Sequence, residues 1–240
     1  MKKIKYNGHK YCGVVLCPMY NDTKFIKPQH QEFGKILIKT LVNEGVLTLR
    51  KNSTFKYQVT AFNNIYGCLT IRYDKRKLKF LFVKLPILYP TIEMVCKWNK
   101  QAQRLFEEDG TYGLYGLKDK DLIDYTLDYA ENSIYYEVDQ LPTVTEKAAY
   151  LWERIARFQA FQNGNKRTGL LTGLMFLGVN QFVWGTNKKN INNELYLMSK
   201  AIAVEKIGRN DLTRYIRQNI SLDMRLMRAT YDTLVDEKMI

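Results

Sequence analysis

Histidine and cysteine are scarce in this chain of 240 residues, which holds two histidines and four cysteines. Both histidines lie in the first 30 positions, and neither is close in sequence to Cys68 or Cys96, so a cysteine–histidine nucleophile is not indicated. A disulfide framework is not expected either, because disulfide-dense folds are small secreted domains with many more cysteines for their length.

A small zinc site is conceivable among the scarce residues, because zinc is bound by histidine and cysteine and the N-terminal segment holds His9, Cys12, Cys17 and His30. Their spacing does not follow an established zinc motif, and Cys17 is followed by Pro-Met instead of a glycine-rich turn. We therefore do not expect zinc, and we expect Cys12 and Cys17 to be ordinary buried thiols.

Long apolar runs are also missing. The longest, Leu170 to Val183, is interrupted by three polar residues and is too short to span a bilayer, so it predicts a buried helix. The N-terminus is positively charged, but no apolar stretch follows it as in a signal peptide. The sequence thus predicts no membrane association and a cytoplasmic location.

Acidic residues are few in the first half of the chain. Residues 1–117 hold 20 Lys and Arg against 8 Asp and Glu, whereas residues 118–240 hold 17 against 16. The segment Tyr73 to Phe80 places Lys75, Arg76, Lys77 and Lys79 between two aromatic residues, a pattern compatible with nucleic acid or an acidic protein partner. A solvated hairpin whose lysines discourage edge pairing is the simpler interpretation of the same pattern.

Periodicity divides the first half into a helix, a set of strands and a second helix. The helix is predicted at residues 29–43 and the second at 91–108. An antiparallel meander is predicted between them, with strands at 46–50, 55–62, 67–73 and 77–84. A glycine-containing linker is predicted at 110–117. The fold class is therefore α+β, with a basic N-terminal region at 1–117 and a second domain at 118–240.

The segment Phe161-Gln-Asn-Gly-Asn-Lys-Arg-Thr168 lies between two predicted helices, an amphipathic one at 145–161 and an apolar one that starts near Leu170. The polar loop therefore precedes a helix N-terminus, where backbone N–H groups and the helix dipole favour an anion. Lys166 and Arg167 add two cationic groups, so the loop predicts a phosphate site.

The residues from Gln159 to Thr168 resemble the core motif of the Fic/Doc (Fido) family, written His-x-Phe-x-Asp/Glu/Asn-Gly-Asn-x-Arg, and the resemblance is closest to the Doc branch. The histidine, which serves in the family as general base for the target hydroxyl, is replaced here by Gln159. A carboxamide cannot accept that proton at physiological pH. The second arginine of nucleotidyl-transferring Fic enzymes is also absent, because Leu170 occupies its place.

The resemblance extends over residues 118–222 and implies an all-α Fido domain. Lys120 to Ser133 is similar to the first Doc-type helix, Leu141 to Ala149 to the approach to the motif helix, and 192–203 and 209–220 to the closing helices. Ile134 to Leu141 occupies the place of the substrate flap, where Tyr135 and Tyr136 either contact a target or pack against the domain.

The same resemblance assigns roles to the motif residues. Nucleotide or phosphate binding is expected at Asn163, Gly164, Asn165, Lys166, Arg167 and Thr168, and the reacting groups are expected at Gln159, Lys166 and Arg167. Asn163 stands where the family often has an acidic magnesium ligand, and its neutral amide predicts weaker metal binding.

Two functions from different classes follow from the resemblance. The first is transfer of a phosphoryl or nucleotidyl group from a nucleotide triphosphate, ATP by preference, to a hydroxyl of a target protein, in the manner of a toxin or a host-modifying factor. The second is a catalytically degenerate Fido domain that binds a nucleotide, a protein or nucleic acid without transfer. Gln159 is central to both interpretations, and the glutamine could also be an engineered inactivation of an active enzyme.

Overall fold

The computed structural model describes residues 3–19, 26–48, 54–105, 116–185 and 191–240. It is mixed α and β, and its chain divides into two compact units. The first unit comprises Met1–Ile87, Asn180–Val183 and Ser221–Ile240, and the second comprises Leu88–Val179 and Trp184–Ile220.

The first unit contains a four-stranded sheet with a helix on one of its faces. Its elements are β1 (Ile4–Tyr6), β2 (His9–Tyr11), β3 (Val14–Pro18), α1 (Ile26–Asn43), β4 (Phe55–Ala61), β5 (Tyr66–Tyr73), β6 (Arg76–Leu85) and, near the C-terminus, α8 (Met224–Asp236). The sheet order is β3-β6-β5-β4, with β1 and β2 as a separate hairpin. Helix α1 packs on the sheet at Gly34, where an added Cβ would lie 2.5 Å from the Tyr57 ring.

The antiparallel meander is confirmed for β4, β5 and β6. The complete sheet is mixed, because β3 joins β6 in parallel. The predicted strand at 46–50 is wrong for residues 46–48, and residues 49–50 lie outside the described ranges. Gly45 adopts φ +69 after α1, and the Gly45 and Val46 N–H groups donate to the Val42 and Leu41 carbonyls. This bonding ends α1 in a Schellman cap, so Val46 and the buried Leu47 belong to the helix terminus.

The second unit is mainly helical. It contains α2 (Ile92–Leu105), α3 (Lys120–Glu131), the hairpin of β7 (Ile134–Tyr135) and β8 (Val138–Asp139), α4 (Val144–Arg157), α5 (Asn165–Val179), α6 (Ile191–Ala203) and α7 (Arg209–Asn219). Two further short strands, β9 (Phe182–Trp184) and β10 (Ile220–Leu222), pair with each other, and most of their residues fall in the first unit. The region after residue 118 is thus not purely helical, since it includes the β7–β8 hairpin and these two short strands.

The compact units do not follow the partition at residues 117 and 118. Helix α2 belongs to the second unit, because its Val95, Trp98 and Ala102 pack in one core cluster with Ile155 of α4 and Leu171 of α5. Conversely, α8 belongs to the first unit. Most of the predicted linker at 110–117 lies outside the described residues, and its last residue, Leu117, forms an antiparallel bridge with Phe161.

Helices α4 and α5 form the centre of the second unit, where Trp152 is fully buried. Their backbones approach closely at two glycines of α5. A Cβ on Gly169 would lie 2.5 Å from the Trp152 carbonyl oxygen and 2.8 Å from the Ala156 nitrogen, and a Cβ on Gly173 would lie 3.1 Å from the Trp152 Cβ. This approach fixes the start of α5, and hence the polar loop before it, against α4.

In the part of the chain that the structure describes, no helix is both long and apolar enough to cross a membrane. The same residues include no group of three or more His, Cys, Asp or Glu side chains placed to hold a metal ion. Cys17 is buried in β3, and burial raises the pKa of its thiol well above the usual value, which disfavours the thiolate that zinc requires.

Candidate active-site loop

The N-terminus of α4 is held by a capping box. The Thr143 hydroxyl accepts from the Glu146 N–H at 3.3 Å, and the Glu146 carboxylate accepts from the Thr143 N–H at 3.1 Å. Arg217 of α7 donates to the same Glu146 carboxylate at 3.0 Å. These bonds tie the start of α4 to α7, and α4 then runs to Arg157, directly before the candidate loop.

Gln159 lies at the start of the loop in a backbone conformation that glutamine adopts infrequently, with φ +50. Its side chain is exposed, and its Oε1 accepts from the Asn165 Nδ2 at 3.2 Å. The carbonyl of the next residue, Ala160, accepts from the Lys118 and Asp119 N–H groups at 2.8 and 3.1 Å. The loop is therefore supported from the side by residues 116–119, which also form the bridge to Phe161.

Asn165 closes the loop upon itself. Its Oδ1 accepts from the Phe161 N–H at 2.8 Å, and its Nδ2 donates to the Phe161 carbonyl at 3.0 Å as well as to Gln159. Since the residue is 6% exposed and is the first of α5, its side chain acts as a brace between the loop and the helix. The resemblance implied a phosphate contact for Asn165, and in the structure its amide bonds the loop backbone.

Gly164 is required at the end of the loop for two physical reasons. Its φ is +76, and an added Cβ would lie 2.9 Å from the Gln103 Cγ of α2. Asn99, which lies one turn before Gln103 on α2, donates from Nδ2 to the Asn163 carbonyl at 2.9 Å and to the Thr168 hydroxyl at 2.8 Å. Asn99 and Gln103 are thus part of the site, although the sequence indicated neither of them.

The three residues after Asn165 differ in exposure. Lys166 is partly exposed, Arg167 is 3% exposed, and Thr168 is fully buried with its hydroxyl bonded to the Gly164 carbonyl at 2.9 Å. The Lys166 carbonyl accepts from Ser199 of α6 at 2.6 Å, and Ser199 in turn accepts from the Trp152 indole at 3.0 Å. The loop and the first turn of α5 are therefore braced by α2, α4 and α6.

Asn163 offers little to a divalent cation. Its Oδ1 already accepts from the Gly164 N–H at 2.7 Å, and the amide carries no charge. Magnesium sites normally use one or two carboxylates in addition to substrate phosphates. The loop residues therefore fit a resident magnesium ion poorly.

The predicted flap forms the β7–β8 hairpin. Tyr136 lies at its turn with φ +49 and is fully exposed. Tyr135 stacks on Tyr129 of α3 with ring centroids 5.4 Å apart and is still 43% exposed. Of the two tyrosines assigned to the flap, Tyr136 therefore projects into solvent and Tyr135 is partly packed.

Both ends of this hairpin are held by Lys147, a fully buried lysine of α4. Its Nζ donates to the Ala130 carbonyl of α3 at 2.5 Å and to the Ser133 hydroxyl at 2.8 Å. Ser133 donates to the Asp139 carboxylate of β8 at 2.7 Å, which also accepts from the Leu141 N–H at 2.9 Å. Lys147 was not singled out from the sequence, because a lysine in an amphipathic helix normally predicts a solvated side chain.

The Lys147 site predicts a specific pH dependence of stability. Burial lowers the pKa of Lys147 from 10.5 to about 8, against the opposing effect of Asp139, Glu131 and Glu146. The folded state thus binds the proton less tightly than the unfolded chain, so the free energy of unfolding should rise by about 3 kcal/mol between pH 8 and 10.5. Lys147→Met should lack this rise.

The measurement is urea unfolding followed by tryptophan fluorescence, because all three tryptophans, Trp98, Trp152 and Trp184, lie in the second unit. Lys206→Met, at an exposed lysine of the same unit, is the matched control and should keep the wild-type rise. Equal pH profiles for wild type and Lys147→Met would contradict the assignment.

Comparison with known protein families yields a match to part of the chain. Residues 89–177 match the model of the Fic/DOC family, and no curated protein matches the chain. The matched segment runs from the residues before α2 nearly to the end of α5, so it includes the loop, the hairpin and the helix that carries Asn99 and Gln103. The match supports the Fic/DOC family for this segment. The match begins at residue 89, before residue 118, where the sequence resemblance to the family starts.

Proposed function

We propose that this chain is a Doc-like Fido protein that transfers a phosphoryl or nucleotidyl group from a nucleotide triphosphate to a hydroxyl of a target protein. The observation that carries the proposal is the loop at 159–168, in which a glycine with φ +76 precedes α5 and two cationic residues stand in the first turn of that helix. N–H groups of a first helical turn point out of the N-terminus and favour phosphate. The family match includes this loop, and Fic/DOC proteins generally transfer nucleotidyl groups to proteins.

The two cationic residues, Lys166 and Arg167, would have different roles because they differ in exposure. Arg167, at 3% exposure, would provide a fixed guanidinium for the phosphate that enters deepest. Lys166, which is partly exposed on a flexible stem, would follow the negative charge that develops on the transferred group. Asn163, Gly164, Asn165 and Thr168 would shape the phosphate cradle, and Tyr135 and Tyr136 would meet the target.

Gln159 limits the rate that such a site can reach. Its amide oxygen accepts from Asn165, and its amide nitrogen can donate a hydrogen bond but cannot take a proton from the target hydroxyl. Loss of general base catalysis costs about 10²- to 10⁴-fold. Phosphoryl transfer depends chiefly on positioning and charge stabilisation, so a slow transferase is consistent with this loop.

Labelled ATP, GTP, UTP and CTP, each incubated with the protein and a cell lysate, test the proposal. At least one donor should label a protein band, and Lys166→Gln should reduce the labelling about 100-fold, the usual cost of removing one group that stabilises developing charge. Lys166 is the better probe because Arg167 is buried, and its replacement would disturb packing as well as charge. Lys206→Gln is the matched control, and label that persists in Lys166→Gln would contradict the assigned role.

A nucleotide-binding domain without transfer is the second candidate, and Gln159 together with the neutral Asn163 favours it. Calorimetry separates the two functions. Under the second, ATP or another nucleotide should bind with a stoichiometry near one, Lys166→Gln should weaken binding, and no donor should label any protein.

A further inference from the structure

One face of the four-stranded sheet in the first unit is cationic. On β4, β5 and β6 this face carries Lys56, Gln58, Thr60, Cys68, Thr70, Arg72, Lys77 and Lys79, since alternate residues share a face and the register pairs them. All four cations are exposed. The opposite face carries Tyr57, against which α1 packs at Gly34, so the cationic face is the one turned away from α1.

The cations lie in two adjacent rows across the strands. Lys56 pairs with Arg72 and Arg72 pairs with Lys77, which places three positive charges side by side. In the next row, Thr70 lies between Gln58 and Lys79. The rows are about 7 Å apart, two residues along a strand. This spacing is close to that of successive phosphates in an extended polynucleotide.

Three like charges in one row are unfavourable for the sheet itself, because directly opposed like charges repel. Charged side chains often prevent an exposed sheet edge from pairing with another chain. That role does not explain Arg72 and Lys77, because they lie on the interior strands β5 and β6 of the order β3-β6-β5-β4. Within the described residues, no carboxylate forms an ion pair with Lys56, Arg72, Lys77 or Lys79. A bound polyanion would offset the repulsion.

A groove of about 390 Å³ runs over this face. The β1–β2 hairpin contributes His9, Lys10 and Tyr11 to its lining, and the sheet contributes Arg72, Lys77 and Lys79 together with Thr60 and Thr70. Among the residues that the structure describes, no Asp or Glu lines the groove. Phe62 also lines the groove and is 48% exposed, which presents an aromatic ring beside the charges.

We propose that this sheet face binds single-stranded nucleic acid, with successive phosphates on the two cationic rows, in the direction of the strands, and a base stacked on Phe62. Positive grooves with an exposed ring are how proteins hold single strands without sequence preference. An acidic protein partner would match the charges but would not need an open ring beside them. A duplex keeps its bases stacked inside, so it could not use Phe62. The inference concerns the first unit alone and does not depend on the proposed transferase activity.

Fluorescence polarisation of the full chain with a labelled 12-nucleotide single strand of mixed sequence tests the proposal. Four phosphate contacts predict a slope of log K against log salt of about −3, so affinity should fall about 50-fold from 50 to 200 mM salt. Arg72→Gln with Lys77→Gln removes two contacts. This double variant should bind on the order of 50-fold more weakly at 50 mM salt, with the slope reduced to about −1.4.

The matched control is Lys27→Gln with Lys35→Gln, which removes two exposed lysines from α1 on the opposite side of the sheet. This control should bind as wild type does. Because the Arg72 and Lys77 changes relieve repulsion, that double variant should melt at the wild-type temperature or above it, which separates lost binding from lost folding. Equal affinity and slope for the two double variants would overturn the proposal.

Phe62→Ala tests the stacked base separately. It should weaken single-strand binding on the order of 5- to 150-fold and leave the salt slope unchanged, because stacking releases no counterions. A duplex of the same sequence should bind more weakly than the single strand and be insensitive to Phe62→Ala. Equal or tighter binding of a polyglutamate peptide, or of the duplex, would overturn the assignment to single strands.

Discussion

Replacement of Gln159 by histidine is expected to raise the rate of group transfer by about 10²- to 10⁴-fold, the contribution of a positioned general base. The backbone at this position has φ +50, and histidine is among the residues enriched in that region, so the substitution fits the loop. Asn165 also bonds the Phe161 N–H and carbonyl at 2.8 and 3.0 Å, so the loop keeps this support while the single acceptor nitrogen of the imidazole stays free for the target proton. The brace of the loop is thereby retained.

The pH profile identifies the origin of such a gain. Activity of Gln159→His should fall as pH drops through about 6.5, where the imidazole becomes protonated and can no longer accept the target proton. The wild-type protein has no group at residue 159 that titrates there. Gln159→Asn is the matched control, because asparagine also tolerates positive φ but provides no base, and it should not gain activity.

The activity of Gln159→His also distinguishes the two proposed functions. A gain with a titration near pH 6.5 would mean that the loop, Lys166 and Arg167 still form a competent transfer site. Binding of nucleotide by both proteins with transfer by neither would identify a pocket that has lost the reaction. A gain of equal size in Gln159→Asn would contradict the role assigned to the base.

The helices of the second unit were predictable from the sequence because their signals are local. The predictions at 120–133, 192–203 and 209–220 agree with α3, α6 and α7 within two residues. The resemblance to the Doc branch placed all three, and the last two also showed helical patterns of their own. The polar loop was likewise identified as the segment before α5, from the contrast between its sequence and the apolar helix behind it.

The partners of the loop were not predictable in the same way. Asn99 lies 64 residues before Asn163, and a polar residue on one face of α2 predicts contact with solvent until the packing of α2 on α5 is known. Lys147 is similar, since its burial depends on acceptors supplied by α3 and the hairpin. The strand predicted at 46–50 was wrong for a local reason, because the helix cap at Gly45 outweighed the β propensity of Val46.

Gly169→Ala is expected to destabilise the second unit by about 3 kcal/mol, at the upper end of overpacking costs. The new Cβ would lie 2.5 Å from the Trp152 carbonyl oxygen and 2.8 Å from the Ala156 nitrogen. Both atoms belong to the α4 backbone, so no side-chain rotation relieves the contact, and α4 and α5 must separate. The expected fall in melting temperature is about 6–12 °C.

Gly178→Ala is the matched control in the same helix. A Cβ there meets no atom within 4 Å, so the change should only improve helix propensity and raise stability by up to about 1 kcal/mol. The stability of Gly173→Ala should lie between those of the other two variants, because its added Cβ would lie 3.1 Å from a side-chain atom, the Trp152 Cβ.

Thermal unfolding followed by tryptophan fluorescence reports the second unit alone, since all three tryptophans lie there. Equal melting temperatures for Gly169→Ala and Gly178→Ala would mean that α4 and α5 are not in close backbone contact. The N-terminus of α5 would then lack the support that holds the loop at 159–168 in place.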